Sequence, residues 1–139
     1  MKILSWALCE KEFVRKIEVD KERINSIKFM ALIRLDRARN PFNGNLSLSF
    51  EDYYEVLKEL LTGYMLSFGM RSQNHQCLIS FFYQQNKDSE NDVNLMQEMS
   101  FYRNRLNYYG EQIPDSFYEN HKEDFEKIIK LLLGKLKDE

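Results

Sequence analysis

The chain has 139 residues, enough for one domain with a proper core and too few for two. Hydrophobic residues make up 43% and aromatics 14%, which argues against disorder, while five Gly and two Pro argue against a turn-rich β sandwich or barrel. The net charge of −2 gives no global pull toward nucleic acid or an anionic membrane, so any such binding needs a local patch.

No segment reaches the roughly 18 apolar residues that span a bilayer. The run Ile3–Cys9 lacks the basic lead and small-residue cleavage site of a signal peptide, and Glu10 follows at once. The expectation is a cytoplasmic protein with no membrane attachment. Cys9 and Cys77 have no metal-ligand spacing and read as two ordinary reduced thiols.

In chain order, residues 1–19 form an N-terminal extension or a short helix carrying Trp6, Phe13, Val14 and Ile17. Asp20 is a candidate N-cap, and Ile24, Ile27, Ala31, Leu35 and Ala38 then repeat at helical spacing up to Pro41. Arg34, Arg37 and Arg39 lie against Asp36 on the polar side and read as a solvated face. Residues 40–45 are the clearest loop. Ser49, with Asp52 three residues on, is read as opening the next helix. Its wide apolar stripe runs from Phe50 to Phe68, and Gly69 ends it.

Asn74 caps a third helix through Cys77, Leu78, Phe81 and Phe82, apolar on most sides and so expected at the centre. Asp92 is read as opening a fourth helix that Gly110 closes, and Pro114–Ser116 as turn and cap for a last one. His75 reads as a surface or capping residue and His121 as a core or interface histidine. The spacing predicts an all-α, up-and-down antiparallel bundle of four to five helices in one domain over 1–139, with no strands.

Glycine-rich phosphate loops, Gly-x-Ser-x-Gly, His-Glu-x-x-His and Cys-x-x-Cys are all missing from the sequence. No metal or cofactor is expected. By elimination, chemistry falls to the end of the fourth helix, Phe101-Tyr-Arg-Asn-Arg-Leu-Asn-Tyr-Tyr-Gly110. Met99, Arg103, Leu106 and Gly110 share one stripe there, so Arg103 rides on a mostly apolar seam. Such an arginine serves a structural ion pair or binds an anion such as phosphate.

The helix order resembles the HEPN family, the helical "higher eukaryotes and prokaryotes nucleotide-binding" domains. The resemblance runs from about Glu10 to the C-terminus. It rests on Ser49-Phe-Glu-Asp-Tyr-Tyr54, Asn74-His-Gln-Cys-Leu-Ile79 and, above all, Arg103-Asn-Arg-Leu-Asn-Tyr-Tyr-Gly110. The family signature is Arg, a polar residue, a few variable positions, then His. Arg103 and Asn104 match its start, and Tyr108 stands where the histidine falls.

The resemblance implies a HEPN-like bundle that dimerises through the motif helix and forms a shared basic cleft. It also implies nucleotide or RNA as ligand and a minimal nucleotidyltransferase as partner, in a toxin–antitoxin setting. Active members look like metal-independent ribonucleases. The catalytic candidates are Arg103, Asn104 and Tyr108, and the nucleotide- or RNA-binding candidates Arg103, Arg105, Asn107 and Tyr109. A tyrosine with a pKa of about 10 is a poor general base at neutral pH, so weak or no ribonuclease activity is expected. One alternative is an active ribonuclease pairing Arg103 with His75 or His121. The other is a non-enzymatic dimerisation or interaction module.

Overall fold

The computed structural model describes residues 3–136; residues 1–2 and 137–139, the outer ends of the expected 1–139 span, lie outside it. The described chain is an all-α, up-and-down arrangement of six helices with one small ribbon. The helices are α1 (Trp6–Glu12), α2 (Lys21–Arg39), α3 (Leu46–Ser67), α4 (His75–Gln85), α5 (Glu90–Tyr109) and α6 (Asp115–Lys135). Strands β1 (Val14–Lys16) and β2 (Met70–Ser72) pair antiparallel, with Arg15 opposite Arg71.

The ribbon corrects the expectation of a strandless chain, and six helices replace four to five. Its strands are three residues each, too short to show alternation against the helical periods around them. The register is tertiary: the Ile17 amide donates to the Gly69 carbonyl, and Gly69 (φ 75°) turns the chain from α3 into β2. Val14, Ile17 and Met70 pack against the core.

The central helix is α3, not α4. It packs against α2, α4, α5, α6 and β2, and its buried side chains, Phe50, Tyr53, Leu57, Leu60 and Met65 among them, fill the middle. Its start also differs from expectation. Asn45, inside the anticipated loop, accepts from the Leu48 amide at 2.9 Å and caps it. Ser49 is instead fully buried, one turn in, bonded to the Ala38 carbonyl and the Tyr118 hydroxyl. Asp20, Asn74 and Gly110 act as the termini they resemble: Asp20 and Asn74 accept from first-turn amides, and Gly110 is left-handed at φ 66°. α5 opens at Glu90 rather than Asp92, and α6 begins at Asp115 just after Pro114.

Arg37 and Arg39 are solvent-exposed as expected, but the three arginines of α2 pair with carboxylates of other helices rather than with Asp36. Arg37 grips Asp52 of α3 with two hydrogen bonds, Arg39 grips Glu126 of α6 the same way, and Arg34 pairs with Glu59. They tie α2 to its neighbours, Arg37 and Arg39 with planar two-point geometry an ammonium could not supply.

The cysteines are also corrected. Cys9 of α1 and Cys77 of α4 are both fully buried and joined in a disulfide, their Cα atoms 5.5 Å apart across 68 residues of sequence. Nothing in their spacing announces this; the fold brings α1 onto α4, where Trp6 also meets Phe81 at 5.2 Å between ring centroids. Among the described residues no helix is long and apolar enough to cross a membrane.

Candidate functional site

The last two turns of α5 present two chemically different faces. Arg103 and Asn107, four residues apart, turn toward α3. The Arg103 side chain is only 16% exposed, with Nη2 3.7 Å from Glu55 Oε1 and its guanidinium 5.6 Å from the Tyr54 ring centroid. In the orientation that satisfies both ends of its amide, Asn107 accepts from Arg103 Nε and Nη2 at 3.1 and 3.2 Å and donates to Glu51 at 3.3 Å. Glu55 is shared with Lys58, at 2.8 Å. At 3.7 Å the Arg103–Glu55 contact lies beyond a good charge-assisted hydrogen bond, so the guanidinium is oriented without being saturated.

His75, the first residue of α4, joins this cluster. Its ring lies 6.3 Å from that of Tyr54, so His75 and Arg103 flank the same tyrosine. Beneath them Tyr54, Lys58, His75 and Leu78 line a cavity of about 10 Å³, room for roughly one water. Burial, then the Lys58 and Arg103 cations, hold His75 below its ordinary value of 6.5, with Glu55 opposing. Burial likewise pushes the Tyr54 hydroxyl up. The imidazole is therefore neutral at pH 7.

The unfolded chain binds the His75 proton more tightly than the folded one. The resulting stability is complete above about pH 6.5 and declines as pH falls through 6.5 toward the folded value. An NMR titration of the two histidines is expected to place the His75 midpoint below 6.5. A midpoint at or above 6.5 would contradict the cationic surroundings described.

The other face of α5 points to solvent. Arg105 makes a two-point bond to Glu111 and lies 5.8 Å from the Phe101 ring and 5.2 Å from the Tyr109 ring. Residues 101, 105 and 109 are successive turns of one stripe, so the guanidinium sits between two aromatic surfaces. Phe101 is half exposed, and Tyr108 and Tyr109 are 72% and 70% exposed, unusual for such large rings. Asn104 is exposed beside them.

No family model, curated protein or solved structure matches this chain.

The predicted residues thus divide. Arg103 and Asn107 are brought together, as are Arg105 and Tyr109, on separate faces. Asn104 is outside the Arg103 cluster, and Tyr108 is 72% exposed. Of the two histidines only His75 reaches the cluster. His121 packs tilted against Phe117 with ring centroids 4.8 Å apart, pairs with Asp124 at 3.3 Å, and lies over the N-terminal half of α5 beside Asn94 and Glu98. Glu51, Tyr54, Glu55 and Lys58 are the residues the sequence reading missed. Their i, i+4 spacing on α3 is visible in the chain; that this face meets α5 is not. Among the described residues no group of three or more His, Cys, Asp or Glu could hold a metal ion.

Proposed function

We propose that this chain is a HEPN-like domain that binds nucleotide or RNA at the C-terminal half of α5. The observation that carries the reading is the pairing of a guanidinium held ready but not saturated (Arg103) with an exposed arginine–aromatic stripe on the same two turns. Arg103 would contact a phosphate, exchanging the long contact to Glu55 for a shorter one. Tyr108 and Tyr109 would stack on bases, which every base permits, so binding would be tolerant of sequence. A homodimer through α5 would double the site, beside a minimal nucleotidyltransferase partner.

Activity, in this reading, is weak or nil, because Tyr108 is a poor proton carrier at neutral pH. The neutral imidazole of His75 beside Arg103 favours one variant, a metal-independent ribonuclease in which His75 accepts the proton and Arg103 steadies the phosphate. The Arg103–Glu55 contact favours the other, an interaction module in which the arginine is structural. A cytoplasmic setting carries a condition: a strongly reducing cytosol would open the Cys9–Cys77 bond, whereas intracellular proteins of hyperthermophiles keep such bonds.

Anisotropy titration with a labelled single-stranded RNA tests the reading. Tyr109→Ala is expected to weaken binding between about 5-fold and about 150-fold, the range for losing one stacked base. Arg103→Ala is expected to weaken it and flatten its salt dependence. Unchanged affinity in both variants would overturn the proposal, and a variant that loses self-association instead would point to the interaction module.

A further inference from the structure

The β ribbon carries an arrangement that folding alone does not explain. Arg15 and Arg71 are directly opposite in the antiparallel register, so both project from the same face. Opposed residues hold their Cβ atoms about 5 Å apart, and like charges in that position are destabilising. Among the described residues neither arginine has a carboxylate within salt-bridging distance; Arg23 also has none, whereas arginines 34, 37, 39, 103 and 105 do. The opposite face of the ribbon is accounted for, since Val14 and Met70 pack on the core.

The two arginines line a cleft of about 250 Å³ at the end of the ribbon, with Glu12, Phe13, Val14, Ser72, Gln73 and Asn74. Ser72 Oγ accepts from the Asn74 amide at 3.1 Å; opposite Val14 in the register, Ser72 belongs to the other face of the ribbon from the two arginines. The cleft therefore offers two guanidinium forks and the Gln73 amide. Glu12 at the rim is one opposing charge against two. The volume falls below the roughly 300 Å³ at which pockets for whole drug-sized molecules begin. It suits a phosphate or pyrophosphate group whose remaining molecule lies outside.

We propose that Arg15 and Arg71 form a phosphate-binding site on the ribbon, separate from the α5 stripe. An anion between the guanidinium groups would replace their mutual repulsion by paired, charge-assisted hydrogen bonds. The phosphate belongs either to a free phosphorylated small molecule or to an RNA backbone.

Calorimetric titration with inorganic pyrophosphate tests the site, using wild type, Arg15→Gln/Arg71→Gln and Arg103→Ala. The double variant is expected to lose at least about 10-fold in pyrophosphate affinity, in line with removing two charge-assisted contacts. Its melting temperature is expected to hold or rise, because the opposed charges are gone. Arg103→Ala is expected to bind pyrophosphate at the ribbon as wild type does, which separates this site from the α5 reading.

A parallel titration with single-stranded RNA distinguishes the two sources. If the double variant also loses RNA affinity, with a salt slope shallower by about 0.7 per phosphate contact, the phosphate is that of a backbone; loss for pyrophosphate alone marks a free ligand. Wild-type protein that does not bind pyrophosphate, or a double variant that binds it as tightly as wild type, would overturn the proposal.

Discussion

Reduction of the Cys9–Cys77 bond is expected to lower the unfolding free energy by about 4 kcal/mol, the chain-entropy value for a loop of this length. The bond closes 68 residues of sequence, so it removes a large share of the unfolded chain's freedom. In the folded protein it ties a seven-residue helix to α4. A helix that short is not stable alone, and its other anchors are the Trp6–Phe81 contact and the β1–β2 ribbon. Urea unfolding with and without a thiol reductant measures the effect, and Cys9→Ala/Cys77→Ala should reproduce it. Equal unfolding midpoints with and without reductant would contradict it. Cys77 lies two residues beyond His75, so the crosslink also steadies the turn that presents His75 to Tyr54 and Arg103.

Phe117→Ala is expected to cost about 3–5 kcal/mol, the usual loss for a buried phenylalanine, and to weaken nucleic-acid binding as well. Phe117 is where three helices meet. Its ring lies 4.3 Å from Tyr102 of α5, 6.0 Å from Phe50 of α3, and 6.0 Å from Phe125 and 4.8 Å from His121 of its own helix. Tyr102 is the residue before Arg103, so the packing that holds Tyr102 sets the angle at which Arg103 meets Tyr54 and Glu55. Denaturant unfolding reads the first effect. RNA affinity, measured where the variant is fully folded, reads the second. A variant that loses the stability but keeps wild-type affinity would show that α5 is positioned by other contacts.

What the sequence made legible was what local physics decides. Helical periodicity placed the four long helices and α4, because apolar residues at 3.6-residue spacing must share a buried face. Asp20, Asn74 and Gly110 were readable as termini because their side chain, or the lack of one, satisfies the helix-end backbone wherever the helix is packed. Ser49 misled for the same reason: it has a capping residue's chemistry, but Asn45 stands nearer the loop and takes the role. Tertiary pairings were hidden. Arg37 finds Asp52 on another helix, Cys9 finds Cys77 across half the chain, and Val14–Lys16 is a strand only because Met70–Ser72 lies alongside.

The candidate site was half legible. Arg103 stood out as a charge on an apolar seam, and the Arg105–Tyr109 stripe follows from helix geometry. The residues that give Arg103 its surroundings, Tyr54, Glu55 and His75, come from two other helices, and no local pattern assigns them to it.

The most direct test of the central claim is an NMR titration of the isotope-labelled protein with a short single-stranded RNA. The account predicts that the shifted resonances cluster at 101–110, at Tyr54, Glu55 and Lys58, and at His75, whose midpoint should rise as the bound phosphate offsets the Lys58 and Arg103 cations. No shifts at saturating RNA, or shifts confined to surfaces away from α5, would contradict it.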